Sequence, residues 1–598
     1  MWAYICFVNR KQIMRQFFKF LFASFFGTML AIFIGFFFMF IIIGAIAASG
    51  QEKVSVKSNT VLVPELAKPI TERKLADPFA QFGINSSSDQ LALTTITKTL
   101  AHAKDDDKIK GLFLDLTTFG GGRSSLEVVK EAIDDFKTSG KPIYAYGDYY
   151  TESTYYLASL ADSVFMQPTG GLDFNGASME MMFLRGMFDK LDIEPRVFKH
   201  GDFKSAGEPF SETKMSDSNR VQMKALMSSI YGHYINGLAE TMGKDTAELR
   251  LVADSLQIRT PEDALKLGFV DGLIYRDQML DILKNLTGAD DIEDIETLSL
   301  NKYAQSMGPE IKKGVDDRVT VVYAVGNIIM GQGDDETIGA ERISEALRKA
   351  RLDEDVKAVV LRVNSGGGSA LASDIILREM ELIKEAGKTV VVSMGDVAAS
   401  GGYYISCKAD AIFAQPNTIT GSIGVIGFIP GTQQFFENKM GITFDRIKTG
   451  KYADLANPNR PMGAGERAII QNSLDRIYDD FITHVSTGRE MSKERVDQLG
   501  RGRVWTGEQA LKNGLVDELG GLNDAIAFAA TQAGLEDYKL KELPKPVDPF
   551  EQIMKEIGGV KENIIKSEIG EEQFKIVKQI QWIKSFDEPM MLMPYFFY

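Results

Sequence analysis

From Leu21 to Ala48 the chain carries no charge for about 28 residues, enough at ~1.5 Å per residue to cross a hydrocarbon core of about 30 Å. Beyond that span the pattern changes to short apolar runs separated by amphipathic stretches and glycine turns. Ile109 to Leu116 is one such run, and it leads into Gly120-Gly121-Gly122. The stretch EVVKEAIDDFKTSG follows with helical spacing and ends at a second apolar run, KPIYAYGD. The same order recurs in Val356 to Val363, Gly366-Gly367-Gly368, DIILREMELIKEAG and KTVVVSMGD. Strand, helix, strand predicts a parallel pair joined by a right-handed crossover. Both regions therefore read as α/β, with parallel sheets and flanking helices.

The recurrence is collinear. Gly147-Asp148 answers Gly395-Asp396, Tyr155-Tyr156 answers Tyr403-Tyr404, Ala161-Asp162 answers Ala409-Asp410 and Gln167-Pro168 answers Gln415-Pro416, at one offset of 248 (395 less 147). PEDALKLGFVDGL and TGEQALKNGLVDEL carry the match to the end of each half. Shared α/β grammar explains single matches, but a collinear series points to a tandem duplication. The expected organisation is a tail over 1–20, an anchor over 21–48, one repeat over 55–300, a second over 315–540 and a C-terminal segment over 541–598. In that last segment Asp548 to Lys584 reads as helix, and Pro589 to Tyr598 is strongly apolar, with packing against its own chain favoured over a neighbour or a membrane surface.

Arg10, Lys11, Arg15 and Lys19 precede the apolar span, so the positive-inside rule puts the N-terminus in the cytoplasm and the bulk of the chain outside. Ala45-Ile46-Ala47 resembles a cleavage site, but a cleaved leader has an apolar region of only about 7–15 residues, so the span reads as an uncleaved anchor. Met14 opens a second, more typical charged leader, and the sequence does not choose between the two starts. Composition fits one anchor on a soluble body, with 44% hydrophobic and 25% charged residues. A formal charge of -15 argues against nucleic acid as a partner. Cys6 and Cys407 are the only cysteines and fall on opposite sides of the anchor, so no internal disulfide is expected.

Chemistry emerges where the copies differ. Ser400, in AASGG, stands opposite Glu152, and Lys204, in GDFKSA, stands opposite Ala453. One copy thus offers a hydroxyl nucleophile and the other an amine base, as expected of a duplicated enzyme that kept one composite site. A serine before two glycines is by itself turn chemistry, and a lone lysine is a solvated side chain; their reciprocal placement gives the pair its weight. The motifs VNSGGGSA (Val363 to Ala370), GDVAASGGYYIS (Gly395 to Ser406), TGSIGV (Thr420 to Val425) and GDFKSAGEPF (Gly201 to Phe210) resemble the long, duplicated form of the signal peptide peptidase A, or protease IV, family, within the broader Clp protease and crotonase-like fold.

That resemblance implies a serine peptidase on the extracytoplasmic side of an inner membrane, a homotetramer that degrades cleaved signal peptides and other small hydrophobic peptides. It implies Ser400 as nucleophile, Lys204 as general base and Ser422 as the residue that orients the lysine amine. Gly401 with Gly367 or Gly368 are the candidates for an oxyanion hole, since glycine lets backbone N–H groups approach the reacting oxygen. Gly366 stands where the family often has proline. No metal or cofactor is expected: His102, His200, His233 and His484 lie in no zinc-binding spacing, and His200 near Lys204 leaves only a Ser–His variant to consider. Glu152 reads as a solvated or capping side chain. A crotonase-like thioester enzyme and a noncatalytic membrane scaffold remain as alternative classes.

Overall fold

The structure, a computed structural model, describes residues 15–35, 37–38, 54–74, 90–308, 312, 314–547 and 590–592. The N-terminal helix runs Arg15–Gly35, is exposed, and is long and apolar enough to cross a membrane. It starts before the expected Leu21, since Arg15 to Phe20, three phenylalanines among three polar residues, continue the same helix. Apart from residues 37–38, the remainder of the expected span to Ala48 lies outside the described residues.

The first copy is built on a six-stranded, all-parallel sheet. Its strands are β1 (Thr60–Val63), β2 (Ile109–Asp115), β3 (Ile143–Tyr150), β4 (Ser163–Leu172), a short β6 (Gly272–Leu273) and β7 (Thr297–Ser299), in the order β6-β4-β3-β2-β1-β7. Helix α1 (Arg123–Lys137) makes the crossover from β2 to β3. It buries Leu126, Val129, Ile133 and Phe136 against Leu112, Leu114 and Ala145 of the sheet. Strand β5 (Glu194–His200) leaves this sheet altogether. Helix α2 (Asp217–Met242) starts at Ser216, whose hydroxyl accepts the Asn219 N–H, and stops at Gly243, which takes the left-handed φ of 62° that a side chain disfavours.

In the second copy β8 (Arg318–Val325), β9 (Val356–Ser365) and β11 (Thr389–Ala399) pair in parallel, and α3 (Ala370–Glu385) crosses from β9 to β11. β13 (Ile419–Gly421), β15 (Val504–Thr506) and β16 (Lys539–Leu543) complete the main path, in the order β15-β13-β11-β9-β8-β16. Strand β12 (Ala411–Ala414) pairs beside β11. The sheet is buried on both faces, so β9 reads as the near-continuous run Val356, Ala358, Val359, Val360, Leu361 and Val363 instead of an alternation. Strand β16 crosses the boundary expected at 540, because Lys539 to Leu543 pair in parallel with Arg318 to Val322. The expected helix over Asp548 to Lys584 lies outside the described residues.

A third sheet joins the copies and frames the site. It contains β10 (Gly367–Ser369), β14 (Val425–Gly431) and β17 (Met590–Leu592), and it takes β5 from the first copy. β5 pairs antiparallel with β14 through seven positions, from His200 opposite Val425 to Glu194 opposite Gly431. The first copy therefore delivers the segment after His200, which carries Lys204, directly against the second.

Candidate active site

Ser400 lies between the end of β11 and the short helix α4 (Gly401–Tyr404). Its backbone is strained, at φ 55° and ψ -115°, a region that L residues occupy at a cost of about 1–3 kcal/mol. The surroundings hold it there: its N–H donates to the Gly421 carbonyl at 2.8 Å and its carbonyl accepts the Tyr404 N–H at 2.8 Å. A sharp strand-to-helix turn of this kind presents a hydroxyl at the edge of a sheet.

Lys204 follows β5 in a turn fixed by helix α2. Gln222 donates to the Phe203 carbonyl at 3.0 Å and to the Ser205 hydroxyl at 2.8 Å, and Ser205 donates to Asn219 at 3.2 Å. Asn219 and Ser216 in turn donate to the buried Glu208 carboxylate, at 2.8 and 2.6 Å. From the other side Gly502, at φ 84°, packs against the Lys204 backbone where any Cβ would clash. The lysine side chain has nowhere to go but inward.

Its amine reaches three oxygens: Ser400 Oγ at 2.8 Å, the Ser422 carbonyl at 3.0 Å and Ser422 Oγ at 3.0 Å. Lys204, Ser400 and Ser422 are all fully buried. Burial pushes the Lys204 pKa well below its ordinary value of 10.5, because a dry site penalises the ammonium more than the amine. A neutral amine has two N–H donors and one lone pair. Two donors facing Ser422 leave the lone pair for the Ser400 proton, which is the arrangement a hydroxyl needs to become a nucleophile. Ser422 itself sits at φ 50° and donates its N–H to the Arg503 carbonyl at 2.7 Å, so its two oxygens are held in place.

The glycine turns meet beside this pair. A Cβ on Gly367 would lie 2.8 Å from the Gly401 nitrogen, and one on Gly401 would lie 3.1 Å from the Gly368 nitrogen, so side chains are excluded where the two turns face each other. Gly367 takes φ 107° and its N–H donates to the Ser365 hydroxyl at 3.1 Å. The Gly367 N–H is thus already taken, and the Gly368 nitrogen lies beside Gly401.

Strand β17, from the apolar C-terminal segment, fills the groove next to these turns. It runs antiparallel to β10, with Gly367 opposite Leu592, Gly368 opposite Met591 and Ser369 opposite Met590, and it also pairs Met590 with Ile426 of β14. Met590 is buried in an apolar cluster with Phe188, Ala206, Phe210, Ile426 and Phe428. This occupant was not legible as such in the sequence, where only its apolarity stood out.

Other sequence candidates sit apart from this chemistry. His200 stacks on Tyr478 at 3.9 Å between ring centroids, and its Nδ1 pairs with Asp475 at 2.8 Å. Glu152 accepts the N–H groups of Asn175 and Gly176, at 3.3 and 2.9 Å, and so caps that loop. Sequence reasoning missed the Glu208, Asn219 and Gln222 scaffold under Lys204; GEPF was visible as a motif, but nothing in it tied Glu208 to a helix N-terminus eight residues on.

The model of the family described as Peptidase family S49 matches residues 135–290 and again 383–536, so one match holds Lys204 and the other Ser400. The chain is 34% identical over 520 residues to "Protease 4" of Haemophilus influenzae, covering 83% of each. It is 32% identical over 482 residues to "Serine protease SPPA, chloroplastic" of Arabidopsis thaliana, covering 78% of this chain and 70% of that one. "Putative signal peptide peptidase SppA" of Enterococcus faecium is 35% identical over 246 residues, 40% of this chain and 71% of its own.

Proposed function

Because this chain belongs to peptidase family S49 and is a serine peptidase with that domain present twice, we propose that it cleaves small hydrophobic peptides, cleaved signal peptides among them, with a Ser400–Lys204 dyad. The observation that carries this reading is the 2.8 Å contact between the Lys204 amine and Ser400 Oγ inside a fully buried site. Lys204 takes the hydroxyl proton as Ser400 attacks the scissile carbonyl. The tetrahedral oxyanion is received by the N–H groups of Gly368 and Gly401, and the protonated Lys204 returns the proton to the leaving amine. Ser422 keeps the amine aimed throughout. All of these groups come from one chain, so the dyad does not depend on the tetramer that the resemblance implies.

Substrate binds as an added strand between β10 and β14, where Met590–Leu592 now lie. Backbone pairing supports this mode, since it accepts any sequence, while the apolar cluster of Phe188, Phe210, Ile426 and Phe428 that packs on Met590 favours an apolar side chain. The helix Arg15–Gly35 anchors the chain in the inner membrane, with the body on the extracytoplasmic side according to the cations before its apolar stretch from Leu21. Hydrolysis of fluorogenic apolar and polar peptides by the detergent-purified protein tests the reading: turnover confined to apolar peptides is expected, and activity on thioesters alone would overturn it.

Since β17 sits in the proposed groove, ending the chain at residue 589 should lower KM for an apolar peptide severalfold with kcat unchanged. Steady-state kinetics of the shortened protein checks this. An unchanged KM would mean that substrate does not enter where β17 lies.

A further inference from the structure

The first copy has Glu152 where the second has its serine, yet its glycine turn is still in use. Helix α1 begins directly after Gly120-Gly121-Gly122, and none of its own side chains caps its N-terminus. The carboxylate found there belongs to the other copy. Asp396 Oδ1 accepts the N–H groups of Ser124 and Ser125 at 2.8 and 2.9 Å, and its Oδ2 accepts the Ser125 hydroxyl at 2.8 Å. Gly122 approaches the carboxylate so closely that a Cβ would collide with it.

Asp396 lies four residues before Ser400, in an irregular stretch of β11. Val363 of β9 pairs with Met394 and Ser365 pairs with Ala398, so Gly395, Asp396 and Val397 together stand opposite Asn364 alone. Such a bulge bends its strand and re-aims the residues beyond it. Three contacts hold this one. Asn364 Oδ1 accepts the Val397 N–H at 3.2 Å, Thr418 donates to the Gly395 carbonyl at 2.8 Å, and Asp396 is fastened to α1. The last reaches across to the copy that supplies Lys204, where Thr418 Oγ1 also lies 3.3 Å from the Ser124 hydroxyl and Asn364 donates to Glu72 at 2.8 Å. The equivalent residue of the first copy, Asp148, is exposed.

We propose that Asp396 is a positioning residue for the nucleophile: docked on the glycine turn of the first copy, it fixes the bulge and so the direction in which the strained Ser400 turn points at Lys204. This rests on the dyad reading above. A misplacement of about 1 Å between reacting groups costs on the order of 100-fold in rate, so a tether of this kind acts on kcat and not on binding.

The test uses the full-length protein and an apolar fluorogenic peptide. Asp396→Ala is expected to lower kcat by about 10- to 100-fold with KM within twofold and the acid limb of the pH profile unmoved. Asp396→Asn, whose amide oxygen still accepts both N–H groups, is expected to restore most of kcat, and Asp148→Ala to leave it unchanged. Gly122→Ala strikes the same contact from the α1 side, so it should mimic Asp396→Ala, and the double variant should be no worse than the poorer single one. If Asp396→Ala does not fold, Gly122→Ala and Asp396→Asn decide. Unchanged kcat in Gly122→Ala and Asp396→Ala, a loss confined to KM, or a shifted acid limb overturns the proposal. The dyad reading survives any of these as long as the wild-type turnover depends on Ser400.

Discussion

Ser400→Ala should lower kcat by about 10⁴-fold or more on an apolar peptide, the scale seen when a serine nucleophile is lost and oxyanion donors remain. The other hydroxyl at the Lys204 amine, that of Ser422, accepts one of its N–H groups. Lys204 turns its two N–H groups to Ser422 and its lone pair to Ser400, and His200, the one histidine near it in sequence, is stacked on Tyr478 and paired with Asp475. The variant should keep the wild-type fold, because alanine removes one oxygen from a turn that Gly421 and Tyr404 hold through backbone bonds. Single-turnover kinetics on folded protein provides the check. Retention of more than a tenth of the wild-type rate would place the nucleophile elsewhere.

Lys204→Met should cost a similar factor in kcat, and it should do so while raising stability at neutral pH. Burial keeps the native Lys204 pKa far below 10.5, whereas the unfolded chain binds a proton up to that value. Between the two values the unfolded state holds more protons than the native state, so wild-type stability rises with pH, by about 1.4 kcal/mol per unit for one such group. Methionine fills the same apolar space with no proton to lose. The stability advantage of Lys204→Met should therefore be largest below the lowered native pKa, shrink as pH climbs towards 10.5 and then level off. Thermal unfolding of both proteins across that range measures it. The same titration sets the activity profile: kcat/KM should rise as Lys204 loses its proton and reach its plateau well below the ordinary lysine range. A variant less stable than wild type at pH 7 would mean that the lysine is not held neutral.

Much of the fold was legible because a duplication writes the same hydrophobic pattern twice. Val356 to Val363 and Ile109 to Leu116 could each be a buried helix segment by periodicity alone, yet both lead into a glycine turn, an amphipathic helix and another apolar run. The structure has parallel β–α–β units at both places. Strand β5 was harder to place. EPRVFKH carries no mark showing that it leaves its own copy to pair with Val425–Gly431 of the other, since pairing partners are set by tertiary geometry.

Ser400 and Lys204 stood out because each copy lacks what the other has, whereas Asp396 was hidden by being matched. Gly147-Asp148 and Gly395-Asp396 are identical in both halves, and only their surroundings separate an exposed aspartate from one fastened to α1. Gly367 and Gly368 were indistinguishable in sequence for the same kind of reason: nothing in VNSGGGSA shows that the Ser365 hydroxyl accepts the N–H of Gly367.

Whether Lys204 makes Ser400 nucleophilic is read from covalent labelling with a serine-directed organophosphonate, mapped by mass spectrometry. One adduct is expected, on Ser400, forming faster as pH rises through a pKa well below 10.5 and failing to form in folded Lys204→Met. An adduct on another residue, or labelling of Ser400 at the wild-type rate without Lys204, would contradict it.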